Sequence, residues 1–184
     1  MNNGGSTTPR TCPLPWEAMR HPAAIVAWST AALVLIIDQM SKVWAVATLE
    51  GQPDRQIIGD LLRFSFVRNP GAAFGLGGSA TIVFSLIAVV VAVVLFRMST
   101  KLTSMWWGVA LGLMLGGALG NLLDRIFREP SVLQGHVVDF LRLPNWPVFN
   151  VADMSLIGAA ILIVILSLLN VPYDAEPEPQ EAPA

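Results

Sequence analysis

Four long apolar runs, separated by polar stretches, set out the chain. They extend from about Ala23 to Ala47, Thr81 to Phe96, Trp106 to Leu123 and Val151 to Leu169. A helix needs roughly 20 predominantly apolar residues to cross a bilayer, so the pattern predicts four antiparallel transmembrane helices. Between the first two runs the period changes. Leu62, Phe64 and Phe66 alternate with Arg63, Ser65 and Val67, the spacing of a half-buried strand. The expected fold is therefore membrane α-helical, with a small β-element resting on the membrane surface at about 48–79, built from the first long loop. A second polar excursion fills 126–149, where Trp146 suits the membrane–water interface. Polar, Pro-rich stretches at 1–22 and 172–184 read as disordered tails, which leaves 23–171 as one folded domain.

Composition agrees with this picture. Of 184 residues, 54% are hydrophobic and 13% charged, whereas soluble domains are nearer a quarter charged. A net charge of −2 gives no basic footprint, so nucleic acid is not an expected partner. The lone Cys12 excludes an internal disulfide and a multi-cysteine metal site. A removable leader is the rival reading of the first run, because Arg10 and Arg20 precede it and Ala45-Val46-Ala47 mimics a cleavage site.

The polar residues of the runs are placed suggestively. Asp38 and Lys42 lie one helical turn apart, acid first, the favourable orientation for a pair on one face. A simple interfacial ion pair would explain them equally well. The third run carries Gly108, Gly112, Gly116 and Gly120 at four-residue steps, a smooth stripe against which a neighbouring helix can pack closely. It ends with Asn121, Asp124 and Arg125 on one face. Antiparallel spans bring the end of the first, the start of the second, the end of the third and the start of the fourth to one side. Asp38, Asn69, Asn121, Asp124, Asp139 and Asp153 all lie there. Arg97 and Lys101 in the short loop, with Arg10 and Arg20, argue for both termini in the cytoplasm. Arg55, Arg63, Arg68, Arg125, Arg128 and Arg142 count the other way, so charge bias alone leaves the orientation open.

Two stretches carry the candidate chemistry: Val137-Val138-Asp139-Phe140 and Phe149-Asn150-Val151-Ala152-Asp153. An ionisable group in or beside a span is costly unless it has a partner or a task. Other catalytic arrangements find little support. No His-Glu-x-x-His occurs, and His136 lacks partners for a metal. Ser41 and Lys42 point about 100° apart on a helix, and Gly77-Gly78-Ser79 with His136 lacks the rest of a serine-protease set. Two acids sharing one proton suit an aspartyl protease mechanism without metal or cofactor. The plainer alternative is that Asp139 and Asp153 cap helices, and a proton-coupled carrier using intramembrane acids is a further one.

Five motifs in order point to a family. Asp38-Gln39-x-x-Lys42, Asn69-x-Gly71-Ala72-Ala73-Phe74, Gly116-Gly117-Ala118-x-Gly120-Asn121-x-x-Asp124-Arg125, Val137-Val138-Asp139-Phe140 and Phe149-Asn150-x-Ala152-Asp153 resemble those of lipoprotein signal peptidase (signal peptidase II). The resemblance covers roughly 23–170. It implies an aspartyl endopeptidase of the bacterial cytoplasmic membrane, acting as a monomer among membrane lipids. The implied substrates are diacylglyceryl-modified prolipoproteins, cut just before the lipidated cysteine, and the implied inhibitor is globomycin. The implied catalytic pair is Asp139 and Asp153, supported by Asp38, Lys42, Asn69, Gly71, Asn121, Asp124, Arg125, Asn150 and Ala152. Both termini would be cytoplasmic, the site would lie near the outer face, and the first long loop would form a small extracytoplasmic β-sheet cradle beside the four antiparallel transmembrane helices. Arg68 and Arg125 are candidate contacts for peptide carbonyls or lipid head groups. Met154-Ser155 departs from members that have Ser directly after the final Asp.

Overall fold

In the computed structural model, the chain is described over residues 22–71 and 77–173, with 77–80 by backbone alone. The expectations for residues 1–21, for motif positions 72–74, for the side chain of Ser79 and for 174–184 lie outside that description. The order is α1 (Pro22–Leu49), β1 (Arg55–Ile58), β2 (Leu62–Asn69), α2 (Gly77–Ser99), α3 (Met105–Phe127), β3 (Val137–Arg142) and α4 (Val151–Leu168). All four helices are long and apolar enough to cross a membrane. Their outward residues, such as Leu33, Val90 and Ile161, are large, apolar and exposed, which suits a lipid solvent.

Helix α3 is the central helix, packed against each of the other three. Its small residues make that possible. A Cβ added at Gly108 would lie 2.5 Å from the Ala23 carbonyl oxygen, and one at Gly116 would lie 2.7 Å from Val34 Cβ. The opposite flank closes on α4, where a Cβ at Gly117 would meet Ser155 Oγ at 2.5 Å. Ser155 donates its hydroxyl to the Ala152 carbonyl at 2.7 Å, so this serine belongs to helix packing. Ala23, Ala27 and Ala31 of α1 complete the seam with Leu111 and Leu115.

The sheet differs from the expected one in its third strand. The order is β1-β2-β3, antiparallel throughout, and β3 comes from the second polar excursion rather than from the first long loop. Val137 to Phe140 are buried on both faces, so the alternation that marks a half-exposed strand is absent. Asp139 therefore sits mid-strand and caps no helix. Val67 pairs with Asp139 and Asn69 with Val137, with an irregularity between Phe64 and Val67. Phe64, Phe66, Val138 and Phe140 pack on Ala45 and Leu49, and Trp44 meets the Phe64 ring edge-on at 5.0 Å. This apolar cluster seats the sheet on the end of α1. Helix α3 also runs about one turn beyond Leu123, so Asp124 and Arg125 belong to the helix proper. At the far end Tyr173, assigned by sequence to the tail, docks on Trp107 at 5.5 Å and donates to the Met98 carbonyl.

Candidate active site

Asn150 is the hinge of the site. It is the N-cap of α4, and its side-chain oxygen accepts from the Asp153 N–H at 3.0 Å while the Asp153 carboxylate accepts from the Asn150 N–H at 3.1 Å. This reciprocal capping box settles two otherwise unpaired backbone donors. The capping role suggested for Asp153 is thus real, yet it uses only Oδ2. Asp153 Oδ1 accepts from Asn121 Nδ2 of α3 at 2.9 Å. The amide nitrogen of Asn150 turns the other way and donates to Asp139 Oδ1 at 2.7 Å. One fully buried asparagine therefore holds both acids.

Asp139 takes a second donor from the sheet. Asn69 Nδ2 reaches its Oδ2 at 2.9 Å across the β2–β3 ladder, a diagonal pairing within reach on one face. The Asn69 side-chain oxygen accepts from the Gly71 N–H at 2.9 Å, an Asx-type turn that Gly71 can make because its φ is +86°. A Cβ at Gly71 would lie in contact with Arg125, 3.4 Å from its Nη2.

Burial pushes the Asp139 carboxyl up to about 6. The Asn69 hydrogen bond opposes that rise, the neighbouring Asp153 charge adds to it, and Asn150 and Lys42 pull it back. Desolvation thus outweighs the two donors.

Behind the acids lies a charged cluster sealed from solvent. The Lys42 ammonium is 2.9 Å from Asp38 Oδ2, 2.9 Å from Asp124 Oδ2 and 3.0 Å from Asn121 Oδ1. The Asp38–Lys42 pair is fully buried, so the simple interfacial reading does not hold. Asp38 Oδ1 accepts from the Ala152 N–H at 2.9 Å, which ties α1 to the first turn of α4. Asp124 is shared further, with Arg128 Nε at 2.6 Å and the Val138 N–H at 3.1 Å. A buried pair is maintained only when its remaining donors and acceptors are matched, and here they are.

Two participants were named in the sequence but not assigned to the site. Gln39 donates to Asp38 Oδ2 at 3.1 Å and to the Gly120 carbonyl at 3.0 Å. Arg128 closes the Asp124 pair, and its place one turn after an acid is the signal that could have found it. Arg68, by contrast, is occupied. It binds Glu50 through two nitrogens at 2.7 and 3.0 Å and holds that carboxyl below its ordinary range. Arg125 keeps a buried Nη1 without a partner among the described residues, in the field of Asp139, Asp124 and Asp153. No group of three or more His, Cys, Asp or Glu among the described residues is placed to hold a metal ion.

Comparison with known proteins places this arrangement. The family model of signal peptidase (SPase) II matches residues 30–169. The lipoprotein signal peptidase of Streptomyces griseus is 48% identical over 94% of this chain and 87% of its own. That of Mycobacterium avium is 53% identical over 79% of this chain and 80% of its own. Among solved structures, a bacterial membrane enzyme determined by the in meso method at 1.9 Å superposes with a TM-score of 0.69 at 32% identity, covering 79% of this chain and 94% of that one. With its motifs gathered at one end of four membrane helices, and on these similarities, the chain belongs to the signal peptidase II family, the lipoprotein signal peptidases.

Proposed function

We propose that this chain removes the signal peptide from diacylglyceryl-modified prolipoproteins, cutting just before the lipidated cysteine, with Asp139 and Asp153 as the catalytic dyad. The observation that carries the assignment is the double use of Asn150, which donates through its side chain to one acid and through its backbone to the other. The charges support a dyad with one proton. Asp38, Asp124, Asp139 and Asp153 face Lys42, Arg125 and Arg128, so the cluster is neutral when one acid is protonated. Asp139 holds that proton, because burial raises its carboxyl to about 6.

The reaction then runs in two halves. Asp153 accepts a proton from a water molecule, whose oxygen attacks the scissile carbonyl carbon. The Asp139 hydroxyl donates towards the carbonyl oxygen as it gains charge. On collapse the C–N bond breaks, the leaving amine takes the proton from Asp153, and Asp139 takes back the proton from the former carbonyl oxygen, so the dyad again holds one proton. Arg125 binds a peptide carbonyl through its open Nη1, next to the bare Cα of Gly71. Globomycin would compete for the same cleft.

The site works at the outer face of the cytoplasmic membrane, with both termini inside. Four of the six arginines that argued otherwise are engaged: Arg63 with Asp60, Arg68 with Glu50, Arg142 with Asp54 and Arg128 with Asp124. The carrier alternative draws no support from the family, and the inner half of the α1–α3 seam is built of Ala23, Ala27, Leu111 and Leu115, which offer no proton path. The test is cleavage of a diacylated prolipoprotein by purified protein. Asp139→Asn and Asp153→Asn should each abolish turnover and leave a folded protein, since Asn keeps the shape but cannot exchange a proton. Robust turnover by either variant would remove that residue from the dyad.

A further inference from the structure

Three asparagines face the two acids, and each amide can point only one way. An amide presents an acceptor on one side and donors on the other, so whichever neighbour can only donate decides its direction. For Asn69 that neighbour is the Gly71 N–H, and for Asn150 it is the Asp153 N–H. Both lie in the local backbone. For Asn121 it is a side chain from another helix, the Lys42 ammonium at 3.0 Å, which has three donors and no acceptor.

We propose that Lys42 is a positioning residue for the reaction, its ammonium locking the Asn121 amide with the nitrogen towards Asp153 and the oxygen towards Asn150. This rests on the dyad assignment above. Asn121 Oδ1 also accepts from Asn150 Nδ2 at 3.1 Å, and that nitrogen in turn serves Asp139. Reversing Asn121 would set its NH2 against the ammonium and against the Asn150 NH2, and its carbonyl against the Asp153 carboxylate. One buried cation on α1 thereby fixes the donor reaching Asp153 and turns an acceptor towards the amide that serves Asp139. Asp38 and Asp124 hold the ammonium in place at 2.9 Å each. The short approach needs Gly120 on α3, where a Cβ would fall 2.5 Å from Asp38 Oδ2.

The test separates donation from charge. Lys42→Met and Lys42→Gln are compared, each with Asp38→Asn so that the cluster keeps its net charge. Met and Gln have similar length, but only Gln donates. The Met pair should lower kcat by about ten- to a hundredfold with KM within about twofold, and the Gln pair should recover most of that loss. Adding Asn121→Ala should erase the difference between Met and Gln. Equal rates for the Met and Gln pairs, or a difference that persists without Asn121, would overturn the proposal. If the pairs do not fold, Asn121→Ala alone decides, since it leaves the Asp38–Lys42–Asp124 cluster whole. A kcat loss at unchanged melting temperature supports the role, and wild-type kcat overturns it. Failure of the dyad reading is distinguishable, because it would appear as turnover by Asp139→Asn or Asp153→Asn.

Discussion

A single methyl group on the α3 seam should cost both stability and turnover, and the cost in turnover should depend on position. At Gly112 an added Cβ would lie 2.5 Å from the Ala27 carbonyl oxygen and 2.7 Å from Thr30 Cβ. Carbon atoms in contact settle at about 3.5–4.0 Å, so α1 must retreat by roughly 1 Å. The obstruction is partly backbone, which cannot rotate aside. Overpacking of this kind costs about 1–3 kcal/mol, against a gain of about 0.5–1 kcal/mol for replacing a helical glycine by alanine. Net destabilisation of about 1–2 kcal/mol is expected at Gly108, Gly112 and Gly116 alike.

Turnover should be graded instead. Helix rise is about 1.5 Å per residue, so Gly108 lies roughly 20 Å from Asn121 and Gly116 only about 7 Å. A shift of about 1 Å at the reacting groups can cost on the order of a hundredfold in rate. The loss should therefore grow from Gly108→Ala through Gly112→Ala to Gly116→Ala, with the leucine variants more severe at each site. Gly158→Ala is the control, because a Cβ there meets nothing within 4 Å. The assays are thermal melting in detergent and the cleavage rate of a diacylated substrate. Wild-type melting and rates for both Gly112→Leu and Gly116→Leu would refute the packing argument. Losses that ignore position would refute the link from seam to site.

Asp139 should leave a signature in the pH dependence of stability. Its carboxyl is raised to about 6 from an ordinary 3.8, so the folded protein binds a proton that the unfolded chain has released. The stability from this group is full below 3.8 and is lost as pH rises through about 6, at most about 3 kcal/mol. Melting of Asp139→Asn should lack that fall; an identical slope would contradict the buried-acid account. The same group requires kcat/KM to drop as pH rises past about 6, measured with free enzyme at low substrate. Cleavage should also survive chelators and serine- or cysteine-directed reagents. Strong inhibition by EDTA, restored by zinc, would redirect attention to His136.

Local pattern was enough for the spans and the motif residues. Apolar length alone marks a membrane helix, because a bilayer imposes the same demand on any segment that crosses it. The four-residue glycine step also read correctly as a packing seam, since helical period fixes which residues share a face. The antiparallel order of the spans then put Asp38, Asn69, Asn121, Asp124, Asp139 and Asp153 at one end. Partners across elements were not legible in this way. β3 hid because burial on both faces leaves Val137 to Phe140 without alternation, and its place in the sheet depends on pairing with a strand some seventy residues earlier. That Lys42 is buried between acids from two helices, that Glu50 takes Arg68, and that Asn150 serves both acids were decided by tertiary structure. A hydrogen bond depends on distances of a few tenths of an ångström, and only the packing of α1, α3, α4 and the sheet fixes them.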